Sequence, residues 1–179
     1  MPNKIMKLSQ IQQSKSIIPD GDHQGGGSWG IFISPEQPDR VIKLFFDKQQ
    51  FDNEKIGYDR VLGEPSLMRF ANQYSVITVQ LDTSTYLNNR RSLPFNNALL
   101  IPLLSTPPWE RIGKLAIPET DDKLKKIGIN VEKFKYNFSR IGISPWEVTL
   151  FVHSISHDIK AIDFTYDEVV LNSSAYTEK

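Results

Sequence analysis

The residues with the clearest chemical potential lie in the first third of the chain. Gly25-Gly26-Gly27-Ser28-Trp29-Gly30-Ile31-Phe32 fits GxGxxG running into the apolar start of a strand. Glycines so spaced permit positive φ and let backbone N–H groups approach phosphate oxygens with no Cβ in the way, although a Gly-rich turn also forms with no ligand. Further on, Val41-Ile42-Lys43-Leu44 carries one lysine in an apolar run. Strand alternation sets Val41, Lys43 and Phe45 on one face and Ile42, Leu44 and Phe46 on the other. An ammonium on such a half-buried surface needs an anionic partner. Glu54, near the Phe51, Tyr58 and Val61 face of a helical stretch, is the candidate; the competing reading is a solvated carboxylate among Asp52, Lys55 and Asp59.

These groups need elements to hold them. Between Ser28 and Leu104 short β-rich runs dominate, namely GIFIS, RVIKLFF, YSVITVQL and ALLIPLL, each bounded by Pro, Gly, Asn or Asp. One helix interrupts them over residues 47–62, with Phe51, Tyr58 and Leu62 at helical spacing and Gly63 and Pro65 as stop signals. Pro107 and Pro108 mark a break, after which Leu124, Ile127, Val131, Phe134 and Phe138 predict a helix over 121–141. VTLFVHS and IKAIDF then flank the polar tetrapeptide Ile155-Ser156-His157-Asp158, a hairpin. The fold class is α+β.

A length of 179 residues suits one domain or a tightly joined pair of lobes, and 39% apolar with 23% charged residues is a globular composition. Lys plus Arg and Asp plus Glu are both 21, so no overall electrostatic footprint for nucleic acid or an anionic membrane exists. Cysteine is absent, which excludes disulfides, thiolate metal sites and cysteine nucleophiles. His23, His153 and His157 form no HExxH pair. The apolar runs are too short to span a bilayer and the first residues contain no secretory apolar block, so the expected setting is a reducing cytosol. Ser154, Ser156, His157 and Asp158 lack a GxSxG elbow and are too close in sequence for a hydrolase triad.

A Gly-rich loop, a strand Lys and a helical Glu in that order resemble the nucleotide-holding part of the protein-kinase-like superfamily. The resemblance runs from about Gly25 to Ser105 and is nearest to small phage and bacterial-effector kinases: GGGSWGIF looks like the Gly-rich loop, VIKLF the Lys strand, FDNEKIGYDRVL the Glu helix and ALLIPLLS the strand entering the hinge. It implies a two-lobe fold with a 1–20 extension, a β-rich lobe with one helix over 21–105, and a minimal second lobe with a hairpin and short tail over 106–179. It implies an ATP site formed by Gly25, Gly27, Ser28, Gly30, Val41, Lys43, Pro102 and Leu104, with Glu54 orienting Lys43.

Two registers compete for the catalytic half. In one, IKAIDFT carries a metal-binding Asp163 followed by Phe164 as the packing residue; Pro145-Trp146-Glu147 stands where the catalytic loop would be, Glu147 replacing its Asp, and the metal-binding Asn is missing. In the other, His157-Asp158-Ile159-Lys160 is a shortened HRDxK loop with Asp158 as catalytic base and Lys160 as phosphate contact, and Asp163 again binds metal. Mg²⁺ is implied in both. The expected function is a small atypical Ser/Thr protein kinase moving the ATP γ-phosphate to a protein hydroxyl; the alternative is a catalytically impaired pseudokinase that binds nucleotide and protein. The expected partner is a protein substrate or docking protein, with no nucleic acid or membrane, in the cytoplasm or, for a phage or effector product, the host cytosol. Ser173, Ser174, Tyr176 and Thr177 of the tail are candidate autophosphorylation sites.

Overall fold

The computed structural model describes residues 4–17, 28–82, 92–104 and 106–173. Its elements confirm the α+β class, with eight strands, five α-helices and a short 3₁₀ turn at Met68–Phe70 among the described residues. The chain divides into two compact units, residues 1–52 with 73–103 and residues 53–72 with 104–179. No helix among the described residues is long and apolar enough to cross a membrane.

The first unit is built on a five-stranded sheet of β1 (Lys4–Lys7), β2 (Gly30–Ile33), β3 (Arg40–Leu44), β4 (Ser75–Gln80) and β5 (Asn97–Pro102), in the order β1-β4-β5-β3-β2. The β1–β4 pair is parallel and the others are antiparallel. The four strands expected from the apolar runs form. β3 ends at Leu44, so Phe46 does not continue its alternation and is exposed. Ile42, Leu44, Trp29, Phe32, Ile77, Val79, Ala98 and Leu100 fill one core with Met6, Leu8 and Ile11. On the other side of β3, the Phe45 ring meets Phe51, which in turn meets Phe95.

Within residues 1–20, read from sequence as an extension, the described residues 4–17 supply part of this sheet. β1 pairs with β4 at one edge, helix α1 (Leu8–Gln12) buries Leu8 and Ile11, and Lys15–Ile17 then bonds to the opposite edge, through Ile17 N to Ile31 O and Ile33 N to Lys15 O. A strand of four residues carries too short a periodic signal to be recognised alone, and its stability comes from partners distant in sequence. β1 is thus itself one edge of the sheet, while Lys15–Ile17 covers part of the β2 edge.

Helix α2 (Lys48–Gly63) forms where expected, and its buried stripe is Phe51, Glu54, Gly57, Tyr58 and Val61. The division between the units falls within it, after Asp52.

The second unit contains the antiparallel sheet β6 (Trp109–Lys114), β7 (Thr149–His153) and β8 (Ile159–Ile162), together with α3 (Pro118–Lys126), α4 (Val131–Ser139) and α5 (Glu168–Ser173). The β7–β8 hairpin is as expected, but β6 extends it and α5 follows it. The single helix expected over 121–141 is two. Gly128 stands at φ +82°, a left-handed conformation that ends α3, and Asn130 restarts the chain as the cap of α4, its side chain accepting the Lys133 N–H at 3.0 Å. Apolar spacing runs through the break because both helices bury the same sort of face: Leu124 on α3, and Val131, Phe134 and Phe138 on α4.

Asn130→Ala removes that cap, and the expected outcome is a loss of about 1 kcal/mol of unfolding free energy in urea titration, with the slope of the transition unchanged.

Candidate functional site

An aromatic chain organises the second unit. Phe70 packs on Phe134 at 4.6 Å between centroids, Phe134 on Phe138 at 5.2 Å, Phe138 stacks on Phe164 at 5.9 Å, and Phe164 meets the edge of Tyr58 at 4.8 Å. Such offset and edge-to-face pairs add to the burial of the rings themselves. Phe164 reaches Tyr58 because the intervening helical position is Gly57: a Cβ there would overlap the carbonyl carbon and oxygen of Phe164. A glycine inside a helix costs roughly 1 kcal/mol relative to alanine, which this close approach of backbone offsets.

The segment so docked is fastened on both sides. Tyr166 N–H donates to Asn53 O at 3.0 Å, Asp167 N–H donates to Gly142 O at 2.8 Å, and the Arg60 guanidinium lies over the Tyr166 ring at 4.3 Å while donating to Ile141 O at 3.1 Å.

Asp163, immediately before Phe164, has φ +66°, a left-handed conformation that a non-glycine residue adopts only where its surroundings hold it. Thr149 Oγ1, itself buried at the start of β7, donates to Asp163 Oδ2 at 2.8 Å. The Lys114 ammonium at the end of β6 stands 3.6 Å from the same oxygen and donates to the backbone carbonyl of Glu147 at 2.7 Å. Both charged side chains remain partly open to solvent, 30% for Lys114 and 23% for Asp163. Glu54 and Asp163 also act on Tyr58: burial pushes its phenol well above the ordinary tyrosine value, the two carboxylates add to the rise, and the Asp163 backbone N–H opposes it.

The expected site residues fall into three groups. Gly25 and Gly27 lie outside the described residues. In the first unit Lys43 is buried on β3, 6% exposed, with its ammonium 5.8 Å from the Phe45 ring centroid; Val41 is buried two residues earlier, Ser28 and Pro102 are half-buried, and Gly30 opens β2, where a Cβ would meet the Phe32 ring at 2.7 Å. In the second unit Glu54 is 3% exposed and Leu104 is buried. Neither Lys43 nor Glu54 is without a partner.

Glu147 is exposed in a tight turn closed by its N–H to Ser144 O, and it joins the Asp163 centre through its main-chain carbonyl. Asp158 is held elsewhere. It is exposed in the β7–β8 turn, where its carboxylate accepts the Ser156 hydroxyl at 2.7 Å, and Lys160 on β8 donates to the carbonyls of Arg69 and Ala71. The β7–β8 hairpin leads directly into Asp163-Phe164. Lys114, Thr149 and Gly57 were missed. Lys114 and Thr149 gain significance only through the pairing of Lys114 with Thr149 across β6 and β7, whereas a glycine amid the apolar helical stripe was a signal available in the sequence.

The described neighbours of Asp163 Oδ2, a hydroxyl donor and an ammonium, are not a Mg²⁺ ligand set. That ion requires oxygen lone pairs in near-octahedral array, whereas the Asp163 oxygen faces an O–H donor and an ammonium. No group of three His, Cys, Asp or Glu among the described residues could hold a metal ion. No family model, curated protein or solved structure matches the chain.

Two outcomes follow. Gly57→Ala is expected to destabilise the protein by about 3 kcal/mol or more in chemical denaturation, because the added carbon meets backbone rather than a mobile side chain. The folded state also holds the Tyr58 proton above the pH at which the unfolded chain releases it, so this contribution to stability is complete below about pH 10 and falls as pH rises further. Tyr58→Phe should therefore flatten the alkaline limb of a stability-against-pH curve relative to the native chain.

Proposed function

We propose that the protein is a kinase-like nucleotide- and protein-binding module that does not transfer phosphate. The observation that carries this reading is the carboxylate of Asp163, which the resemblance to protein kinases would give to a metal and which here faces Thr149 and Lys114. The metal-binding Asn of that resemblance is also missing from this chain. The nucleotide half of the proposal is supported by the burial of a lysine in β3 and a glutamate in α2, since opposite charges are seldom kept from water without a use for them. In this reading Lys43 contacts the nucleotide phosphates, with Val41 and Pro102 of the same unit beside the base. The protein half is supported by Trp146, 68% exposed in the turn before Glu147, because exposed tryptophan is a common anchor of protein interfaces.

A second reading is an active Ser/Thr kinase. It is favoured by one contact: Lys114 ties the Glu147 turn and Asp163 to the same ammonium, which would bring an acidic residue near an acceptor hydroxyl.

ATP at ten times its Kd is expected to raise the midpoint of thermal unfolding by about 3 to 5 °C, an effect lost in Lys43→Met, while labelled γ-phosphate passes neither to the protein nor to a general acceptor. Transfer that disappears in both Lys43→Met and Asp163→Ala would establish the second reading instead. Absence of any ATP-dependent shift in the native protein would remove the nucleotide half of the proposal.

A further inference from the structure

We propose that a cleft in the second unit receives a small organic monocarboxylate, with Arg69 pairing the carboxylate and Asp158 turning doubly charged anions away. The cleft lies wholly within that unit, and the residues lining it are separate from the nucleotide site proposed above.

Its volume is about 370 Å³, within the roughly 300–1,000 Å³ of small-molecule sites. Three local structures make its walls. The first is the end of α3, where Gly128 N–H donates to Lys125 O at 3.0 Å and Ile129 N–H to Leu124 O at 3.0 Å, the paired bonds of a Schellman cap around a left-handed glycine. Ile127 and Ile129, on either side of that glycine, line the cleft and are only half-buried. The second is the Met68–Phe70 turn. Its Phe70 is buried against Phe134, and Lys160 ties it to β8 by donating to the carbonyls of Arg69 and Ala71 at 2.8 and 3.4 Å. The third is the β7–β8 turn. His157 stands there at φ +60°, held by its N–H to His153 O at 2.9 Å, while His153 Nδ1 accepts the Ser156 N–H at 3.1 Å and Ser156 Oγ donates to Asp158 Oδ2 at 2.7 Å. The rim is therefore built before a ligand arrives, which lowers the cost of binding.

Charge selects the ligand. The Arg69 guanidinium lies over the Phe70 ring, 4.6 Å from its centroid, and pairs with no carboxylate among the described residues. A guanidinium set on an aromatic face keeps its N–H edge for a bidentate carboxylate. The Lys160 ammonium has already given two of its three donors to carbonyls, and the His157 imidazole adds an N–H donor. Arg69 and Lys160 against Asp158 sum to one positive charge. A singly charged carboxylate cancels it, whereas a phosphate monoester brings a second negative charge toward Asp158. The rest of the lining is apolar, with Phe70 and Ile159 buried, and the two half-buried isoleucines gain when a ring or branched carbon body covers them.

The test uses the full chain and three fluorinated probes of similar size: 4-fluorobenzoate, the uncharged 4-fluorobenzamide and the dianionic 4-fluorophenyl phosphate. Each is titrated by fluorine NMR, with backbone amide shifts locating the site. The native protein is expected to bind the benzoate saturably, with shifts concentrated at Gly128, Ile129 and the β7–β8 turn, and to bind the amide and the phosphate more weakly by on the order of tenfold. Arg69→Gln should lower benzoate affinity by on the order of tenfold, and Asp158→Asn should raise affinity for the phosphate. Absence of saturable benzoate binding, or shifts centred elsewhere in the chain, overturns the proposal. An amide or phosphate that the native protein binds as tightly as the benzoate does so too, as does benzoate affinity left intact by Arg69→Gln. The comparison of the three probes on the native chain does not depend on a variant folding.

Discussion

The close approach of Gly57 to the Phe164 carbonyl sets the terms for the second unit. Only a residue without a side chain lets the Asp163–Tyr166 segment run against the helix at that height. With the segment seated, Phe164 completes the aromatic chain from Phe70 to Tyr58, and the backbone of Asp163 is carried into a conformation it would not hold unaided. The ion pair and the hydroxyl at the end of the three-stranded sheet then find the carboxylate already oriented. A packing contact, rather than an electrostatic one, therefore comes first in the causal order.

Much of the secondary structure was legible because it is written in local chemistry. The strands around Ile31, Lys43, Ile77 and Leu99 are short apolar runs bounded by turn residues, and the helix after Asp47 carries its apolar residues on one face. The missed features are those that depend on partners. β1 and β6 are recognisable only through the strands beside them, and the break between α3 and α4 was hidden because the apolar spacing carries across Gly128. Similarly, Lys43 and Glu54 could be singled out as charges that burial would make costly, and both are buried. Lys114 could not, since a lysine at a strand end is ordinary until the neighbouring strand places Thr149 beside it.

The kinase resemblance was drawn from the order of types along the chain; the fold itself is α+β. The most specific chemical demand of that resemblance is an acidic residue presented to a metal. Asp163 is present and held, yet its neighbours are donors. The strands beside a residue can thus change what that residue can do. Spacing alone does not reveal such a change, because the compensating groups come from 49 and 14 positions earlier in the chain, at Lys114 and Thr149.

The leading segment has a consequence for how the first unit comes into being. Lys4–Lys7 pairs with Ser75–Gln80, and Lys15–Ile17 bonds to the strand at the opposite edge. Because synthesis proceeds from the amino terminus, this segment leaves the ribosome before either of its partners, and β1 must wait for some seventy further residues before β4 can receive it. Such closure between distant parts of a chain is slow relative to local pairing. The antiparallel β2–β3 ribbon can form earlier, whereas β1 has no partner until β4 emerges and the two halves of the sheet join only when β5 follows, so the Met6, Leu8 and Ile11 side chains wait for their final packing until the central strand arrives.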